Sequence, residues 1–411
     1  MIVRPWEADG ASTMHHPEPT THHQFPGTKA LVPLLAVAGL VSLISTRICD
    51  AMLPALALSF GINTLDAAAV VSSYAIAYGV MQLVYGPLGD RFGKLRIITI
   101  ACAMCTCAAI AAAAASSFGG LVLARAAMGA TAAAILPLAV AAVSDMAPPE
   151  QRQQMLARVA GVTVMGLALG PMVGGWVTQW SNWRVPFVMV AVLLGTIACL
   201  VGRRMHSHGT TTVRAPGGIH RMLVRPWSWT ILGAACVEAA MGIGCLAVVP
   251  TVLHQRFGLS LGLASTCAGA FGAGGFLFSR CAGLLLRKVP RTQLPAIGGT
   301  IVTTSFAMLA VMPQWQWAFV ACCVMGFGFY TLHNTLQVEA TQLAPGSSGS
   351  AVSIFTAAIF VGQSAGVSLA AFGVANLGPG WVFAAAAVGF LALGAAITLL
   401  LQRRLSAPLD R

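Results

Sequence analysis

The chain has 411 residues, of which 57% are hydrophobic and only 8% are charged, and its formal net charge at pH 7 is +12. Soluble globular domains carry about 25% charged residues. A composition this apolar does not leave enough polar surface to face water. It excludes an ordinary soluble protein and predicts a chain whose solvent is the lipid bilayer.

A membrane-spanning helix needs about 20 mostly apolar residues, and twelve segments of the chain meet this requirement. In chain order the twelve segments are Leu31–Leu58, Ala67–Leu88, Ile97–Ser116, Gly119–Ser144, Val159–Thr178, Val185–Val201, Trp229–Val252, Ala264–Leu286, Leu294–Met312, Trp317–Leu343, Ala351–Val374 and Gly380–Leu401. A long polar break from Arg203 to Trp227 divides them into six and six. The predicted fold is therefore an all-α membrane protein with twelve transmembrane helices in two six-helix bundles.

These segments also predict the division of the chain. Residues 1–29 are expected to be a disordered cytoplasmic tail, 30–202 the N-terminal bundle, 203–227 a cytoplasmic linker, 228–402 the C-terminal bundle and 403–411 a second cytoplasmic tail. The first tail contains acidic residues and prolines and lacks the apolar core of a cleaved signal peptide. Its four histidines show no ligand spacing and no neighbouring cysteine, so no metal site and no cofactor are expected.

The distribution of Lys and Arg predicts the orientation of the chain. With the N-terminus inside, eighteen of the 23 basic residues fall on inner segments, and only Arg184 and Arg256 fall on outer loops. The remaining three, Arg47, Arg125 and Arg280, lie within apolar segments. Both termini are therefore expected to be cytoplasmic, in a multi-pass protein of a bacterial inner membrane. Cationic inner loops match an anionic leaflet, so the charge does not indicate nucleic-acid binding.

The two halves of the sequence repeat weakly at one offset. Three pairs are 197 residues apart: Met128-Gly129 with Met325-Gly326, Gly86 with Gly283, and Ala147-Pro148 with Ala344-Pro345. Parallel repeats of six helices predict a substrate cavity between the halves, near the middle of the membrane.

The connection between segments 2 and 3 reads GPLGDRFGKLR. Gly86 and Gly93 allow close helix approach and a tight turn. Asp90 can face a helix N-terminus, where the helix dipole favours an anion. Arg91 can pair with a carboxylate, and Asp145 at the inner end of segment 4 is a candidate partner.

This connection resembles the signature of the major facilitator superfamily, G-x-L-x-D-R-x-G-R/K-R/K. Lys94 matches its first basic position, and Leu95 stands where a second basic residue is common. An ordinary basic inner loop is the alternative interpretation. The length of the match favours the family, and the resemblance implies a secondary transporter with two six-helix bundles.

Segment 5 contains the run GLALGPMVGG. Gly166 and Gly170 form a small-residue face for close helix packing. Pro171 can bend the helix, and Gly174 and Gly175 leave it flexible. The run resembles the G-x-x-x-G-P-x-x-G-G motif of the superfamily's drug:proton antiporters, which implies export. Generic GxxxG packing is the alternative.

Two further features place ionisable residues within apolar segments. Arg125 and Gly129 in segment 4 resemble the family's R-x-x-x-G element, which is associated with proton coupling. Arg47 and Asp50 in segment 1 are three residues apart, so on a helix they share one face within pairing reach. With a rise of 1.5 Å per residue, Asp50 and Arg125 lie roughly 12 Å and 10 Å from the outer ends of their segments, which allows one polar cluster.

Glu238 in segment 7 has no cation within a helical turn. A lone carboxylate in hydrocarbon must find a partner, face water or become protonated. In segment 10, His333 and Asn334 are candidates for lining the cavity, with an interhelical hydrogen bond as the alternative. Glu339 lies nearer the inner surface, where a structural role is expected.

Together these features predict proton-coupled efflux of drug-like molecules or metabolites. Asp50 is the candidate proton carrier, Arg47 and Arg125 its cations, and Glu238 a site for a cationic substrate or a second proton. The expected partners are a small-molecule substrate, protons and the lipid bilayer, for a monomer.

Other functions compete with this prediction. Within transport, they are export of a sugar, nucleoside or siderophore, and uptake by symport. A non-transporting membrane sensor or scaffold is the alternative from another class, although a scaffold has no use for charges that are costly to place in hydrocarbon. No nucleophile elbow, phosphate loop or metal-ligand cluster is evident, so an enzyme is not expected.

The charge asymmetry yields a topology prediction. A reporter fused after Arg404 should read as cytoplasmic, and so should a reporter inserted near Arg214, because both sites belong to the basic inner segments. Paired alkaline phosphatase and fluorescent-protein fusions measure this. A periplasmic signal from either position would contradict the orientation.

Overall fold

The computed structural model of the protein describes residues 28–146, 149–205, 224–343 and 348–406. In these ranges the chain forms fifteen α-helices and no β-strand. The helices are α1 (Thr28–Arg47), α2 (Leu53–Phe60), α3 (Thr64–Ala67), α4 (Ala69–Phe92), α5 (Lys94–Ala114), α6 (Phe118–Ala132), α7 (Ile135–Met146), α8 (Pro149–Trp180), α9 (Val185–Met205), α10 (Pro226–Phe257), α11 (Leu261–Lys288), α12 (Leu294–Val311), α13 (Gln316–Gln342), α14 (Ser348–Asn376) and α15 (Pro379–Ser406). Residues 1–27 of the predicted N-terminal tail, most of the predicted linker and the last five residues lie outside the described ranges, as do Ala147-Pro148 and Ala344-Pro345 of the repeat. The last two residues of the predicted tail belong to α1.

Ten helices in the described part of the chain are long and apolar enough to cross a bilayer, with α6 and α7 counted together. The apolar part of α1 is shorter and covers Leu31–Arg47, and α8 has 32 residues. The all-α membrane fold is therefore confirmed. These lengths do not establish the exact number of twelve spans, because the first predicted span is divided between α1 and the eight-residue α2.

The break in the first span lies at residues 48–52, which form turns between α1 and α2. The amide of Asp50 bonds to the carbonyl of Arg47, and that of Met52 to the carbonyl of Cys49. Pro54 follows in the first turn of α2. Because proline has no N–H, it cannot make the helical bond to the carbonyl of Asp50. The expectation that Arg47 and Asp50 lie on one continuous helix is wrong: α1 ends at Arg47, and Asp50 lies in the break.

The fourth predicted span is also divided, at Ala133 and Ala134 between α6 and α7. The end of α6 is tied to the first span, because the Ser42 hydroxyl donates a 3.2 Å hydrogen bond to the carbonyl of Ala132. The two interrupted spans are therefore in direct contact within the N-terminal half.

Packing supports the repeat read from the sequence. Gly129 of α6 lies directly against the backbone of Tyr74, where a Cβ atom would be 2.9 Å from the Tyr74 Cα. Gly326 of α13 lies in the same way against Phe271, with a Cβ only 2.8 Å from its carbonyl carbon. Tyr74 and Phe271 are 197 residues apart, and so are Gly129 and Gly326. The two halves thus use one packing arrangement twice.

The helix ends define two faces of the molecule: the basic face, which holds Lys94, Arg291 and Arg404, and the opposite face, which holds Ser117 and Gly378. Hydrogen bonds join the halves toward the opposite face. The hydroxyls of Ser72 and Ser368 are 2.9 Å apart, and Trp176 donates to the Thr266 hydroxyl at 3.0 Å. The two halves are therefore closed against each other on this side.

The glycine contacts yield a stability prediction. Gly326→Val should destabilise the protein by about 1–3 kcal/mol or more, because the added atoms meet backbone that cannot turn aside. Gly283→Val is the matched control, since no atom lies within 4 Å of a Cβ at that position. Thermal unfolding of the purified variants measures the difference. Equal unfolding temperatures for the two variants would refute the packing role.

Candidate functional site

The first polar centre is the ion pair of Arg47 and Asp50 at the break between α1 and α2. The Arg47 Nε donates to Asp50 Oδ2, and the exposed fraction is 2% for Arg47 and 0% for Asp50. Arg47 Nη2 and Asp50 Oδ1 have no hydrogen-bond partner among the described residues. Removing one partner of a buried ion pair costs about 3–5 kcal/mol, because the other charge stays uncompensated. The pair therefore fixes the conformation of the break.

Arg125 lies beside this pair and is fully buried. Its Nε donates to the carbonyl of Val70 at 3.2 Å, and its Nη1 donates to the carbonyl of Ser45 at 3.0 Å. The guanidinium group lies 4.2 Å from the centre of the Tyr74 ring. It thus joins α6 to α1 and α4, and does not extend toward a membrane surface.

The predicted cluster of Arg47, Asp50 and Arg125 is present in this sense: Arg125 lies within electrostatic reach of Asp50. The hydrogen bonds of Arg125 go to backbone carbonyls and to the Met128 sulfur. Only Arg47 bonds to the carboxylate of Asp50, and Arg125 is held by the backbone carbonyls of Val70 and Ser45.

The second polar centre lies in the C-terminal half, where Glu238 of α10 meets His333 of α13. The His333 Nδ1 and Glu238 Oε2 are 2.9 Å apart, and Glu238 has no exposed surface. Glu238 Oε1 has no hydrogen-bond partner among the described residues. The structure thus gives Glu238 a partner on another helix, where the sequence showed no cation within a turn of it. Asn334, the neighbouring candidate, is partly exposed.

Aromatic rings surround His333, a feature that the sequence did not reveal. The imidazole stacks on Phe329 with 5.4 Å between ring centres. Phe355 and Tyr330 follow at 5.6 Å and 6.3 Å. Tyr330 also lies within electrostatic reach of both Arg47 and Glu238. This aromatic cluster therefore surrounds the polar centre of the C-terminal half.

The glycines of α8 pack against the helix that carries Arg47. A Cβ at Gly166 would lie 2.6 Å from the Leu43 Cβ, and one at Gly170 would lie 2.8 Å from the Arg47 Cβ. Gly174 contacts the backbone of Ile48, and α8 continues through Pro171. The run GLALGPMVGG is thus the surface on which the first span rests.

The last glycine of this run contacts the other half of the protein. A Cβ at Gly175 would lie 2.6 Å from the Leu261 carbonyl oxygen and 2.6 Å from the Ser265 Cβ, both in α11. Gly269 of α11 in turn faces Met172, with a Cβ 2.8 Å from its Cγ. The α8 helix therefore contacts the ion-pair helix and the C-terminal half at the same time.

The signature between α4 and α5 differs from the expectation in its pairing. Asp145 forms its ion pair with Lys94, whereas the Arg91 guanidinium is exposed and lies 5.2 Å from the centre of the Phe92 ring. The predicted Arg91–Asp145 pair is wrong, because the turn at Gly93 (φ +91°) directs the next residue, Lys94, toward α7. Asp90 is partly buried.

Glu339 lies near the basic face in the C-terminal half, as Asp145 does in the N-terminal half. Its carboxylate accepts hydrogen bonds at 3.1 Å from Arg291 and at 3.1 Å from Arg404, and one at 3.3 Å from Trp227. Arg291 follows Lys94 by 197 residues, the offset of the repeat. Each half therefore has an ion pair between the start of one helix and the inner end of another.

The sequence matches the model of the Major Facilitator Superfamily over residues 35–358. The chain belongs to this superfamily. The expected resemblance is thereby confirmed, and the helices described above form the fold of a transporter family.

Two groups of relatives are similar over part of the chain. A protein described as "Putative multidrug resistance protein MdtD" of Escherichia coli strain SE11 is 27% identical over 255 residues, which are 56% of this chain and 54% of that protein. The "Lincomycin resistance protein" of Streptomyces lincolnensis is 34% identical over 171 residues, 39% of this chain and 35% of that protein. The matches thus span about half or less of these relatives.

Solved structures share the fold over nearly the whole chain. A single-residue mutant of the peptide transporter POT superimposes with a TM-score of 0.75 at 16% identity, covering 91% of this chain and 94% of that one. A bacterial homologue of the human lysosomal transporter Spinster superimposes with a TM-score of 0.73 at 16% identity, covering 92% and 98%. At this identity the likeness concerns the fold alone.

Proposed function

We propose that this transporter exports drug-like small molecules or metabolites in exchange for protons. The observation that carries the proposal is the buried Arg47–Asp50 pair, which lies at a break in the first span and against the glycine face of α8. A carboxylate that exchanges a proton during transport must be coupled to a part of the protein that can move. Asp50 meets this requirement, because its pair bridges the end of α1 and the break.

Asp50 is the proton carrier in this scheme. Protonation removes its negative charge, so that Arg47 loses its counter-ion and the break is free to rearrange. Arg125 modulates the step, because it holds the Ser45 carbonyl just before the break and lies within electrostatic reach of Asp50. The α8 helix passes the rearrangement to the other half, since Gly170 contacts Arg47 and Gly175 contacts α11.

The substrate lies toward Glu238, His333 and Asn334. The rings of Phe329 and Phe355 provide apolar surface beside the carboxylate, which suits molecules that combine a flat body with polar groups. The names of the relatives, multidrug and lincomycin resistance proteins, support drug-like substrates.

The proposed setting is a bacterial inner membrane, with a monomer whose two termini are cytoplasmic. The basic face is then the cytoplasmic face. The hydrogen bonds between the halves close the periplasmic side, so that the substrate binds from the cytoplasm in this conformation. A proton entering from the periplasm drives the return to the other conformation.

The proton step is tested by proton release from detergent-solubilised protein, measured with a pH dye in weak buffer. The added compound is the one that gives the largest thermal stabilisation across a drug library. Wild type and the control Asp66→Asn, which removes an exposed carboxylate of α3, should release protons when it binds. Asp50→Asn should bind the compound without release.

Undiminished release from Asp50→Asn would overturn the assignment. Loss of release only in Glu238→Gln would transfer the proton site to α10.

Substitution of a motif glycine tests the conformational role of α8. Gly170→Leu should insert normally but lose transport, because the side chain would separate α8 from Arg47. Gly233→Leu is the control, since no atom lies within 4 Å of a Cβ there.

The measurement is accumulation of the same compound in everted membrane vesicles with an acidic interior. Wild type and Gly233→Leu should accumulate it until an uncoupler is added. Normal accumulation by Gly170→Leu would show that the motif serves only for packing. If neither wild type nor any variant accumulates the compound, export by proton exchange is contradicted.

A further inference from the structure

We propose that the protein has a second ligand site, on the face opposite the basic face, which binds an uncharged amphiphile with several hydroxyl groups. The site is a cleft between the two halves and is separate from the region of Glu238. This outer cleft is a cavity of about 520 Å³, and its polar lining residues are Asn63, Thr64, Thr251, Gln255 and Asn376. Its volume falls within the range of about 300–1,000 Å³ that is usual for small-molecule sites.

Both halves of the protein form the walls of the outer cleft. The N-terminal half contributes the end of α2 region and the start of α3, and the C-terminal half contributes α10 and α14. A 3.3 Å hydrogen bond from Gln255 Nε2 to Thr64 Oγ1 joins the two walls. Thr251 follows Glu238 by thirteen residues on α10, which is about 20 Å along the helix axis. A ligand in the cleft therefore contacts both halves and lies well away from the region proposed for the transported substrate.

The hydroxyl of Thr251 is a buried polar group without a partner. Thr251 is 3% exposed, and its Oγ1 makes no hydrogen bond among the described residues. Other helical threonines bond back to the carbonyl four residues earlier, as Thr266 does to Gly262 at 2.9 Å and Thr331 to Phe327 at 2.8 Å. Leaving a buried hydroxyl unpaired costs free energy. A hydroxyl or amide group of a ligand in the cleft would supply the missing hydrogen bond.

The neighbouring side chains also leave hydrogen-bonding atoms for a ligand. Asn63 Oδ1 accepts from the Asp66 amide at 2.8 Å, and Asn376 Nδ2 donates to the Phe372 carbonyl at 2.8 Å. Because a side-chain amide has a donor end and an acceptor end, Asn63 keeps a donor and Asn376 keeps an acceptor. Gln255 keeps its Oε1 as well, since its hydrogen bond to the other half uses Nε2. The cleft thus offers donors and acceptors together, which suits hydroxyl groups because each of them can donate and accept.

The rest of the lining disfavours a charged ligand and favours an aliphatic one. No acidic residue is among the described residues that line the cleft, so a cation would find no counter-ion there. The adjoining cavity of about 460 Å³ is lined by Arg256, which is exposed to solvent, so that its attraction for an anion is screened by salt. Leu53, Val248 and Val374 supply aliphatic walls. The chemistry therefore fits a molecule with a short aliphatic chain and an uncharged polyhydroxyl head.

Binding of hexyl β-D-glucoside to the purified full-length protein in lipid nanodiscs tests the proposal. This probe is uncharged and carries free hydroxyl groups on a sugar ring that is joined to a short alkyl chain. Its tetra-O-methyl ether keeps the ring and the chain but cannot donate a hydrogen bond. Isothermal titration should show saturable binding of the glucoside and binding of the ether that is weaker by about fivefold or more, because the ether loses its hydrogen bonds to acceptors in the cleft.

Three substitutions of the same kind locate the bound probe. Thr251→Val and Thr64→Val each remove a hydroxyl from one wall of the cleft with little change of shape, and each should weaken binding of the glucoside about fivefold. Thr230→Val is the matched control, because it removes an exposed hydroxyl near the other end of α10. It should leave the affinity unchanged.

The proposal is overturned if the glucoside shows no saturable binding, if the ether binds as tightly, or if Thr251→Val and Thr64→Val bind the glucoside as wild type does. Mutually exclusive binding of the glucoside and the compound used for proton release would place the probe in the substrate region and would also refute the outer cleft. The comparison of the two probes on unaltered protein decides the ligand class even if a variant does not fold. It needs neither a proton gradient nor a transported substrate, so failure of the proposed function leaves its result intact.

Discussion

The structure depends on one interaction: the ion pair that Arg47 and Asp50 form in the interior at a break of the first span. Charges in hydrocarbon are costly unless they are paired, and here the pair lies at the break where Pro54 prevents the helical hydrogen bond to the Asp50 carbonyl. The same interaction that stabilises the break would be lost on protonation of Asp50. In the proposed exchange, the stability of the break and its sensitivity to protonation thus have the same physical origin.

The motif glycines are placed by this pair. Gly170 and Gly174 of α8 allow the backbone of the first span to come close enough for Arg47 to be covered, and Gly175 brings α8 against the C-terminal half. A side chain at any of these positions would separate helices that are packed against each other. In the proposed exchange, the motif connects the charge of Asp50 to the relative position of the halves.

Sequence predicted the features that depend on neighbours along the chain and missed those that depend on which helix faces which. The spacing of Arg47 and Asp50 predicted their pair, and apolar segment length predicted the fold. Glu238 and His333 lie 95 residues apart on two different helices. Their contact depends on how these helices are rotated toward each other, and no pattern in the sequence indicates that rotation. Asp145 pairs with Lys94 and not with the expected Arg91 for a similar reason. The turn at Gly93 decides which of these two cations points toward α7.

The most direct test of this account is a double-mutant cycle on the ion pair, read as the thermal unfolding of purified protein. Arg47→Met and Asp50→Asn should each lower the unfolding temperature markedly, because each leaves one buried charge without its partner. The double variant should lose less stability than the sum of the two single losses, which corresponds to a coupling free energy of about 0.5–3 kcal/mol. Strictly additive losses would show that the two side chains act independently and would contradict the central role of the pair.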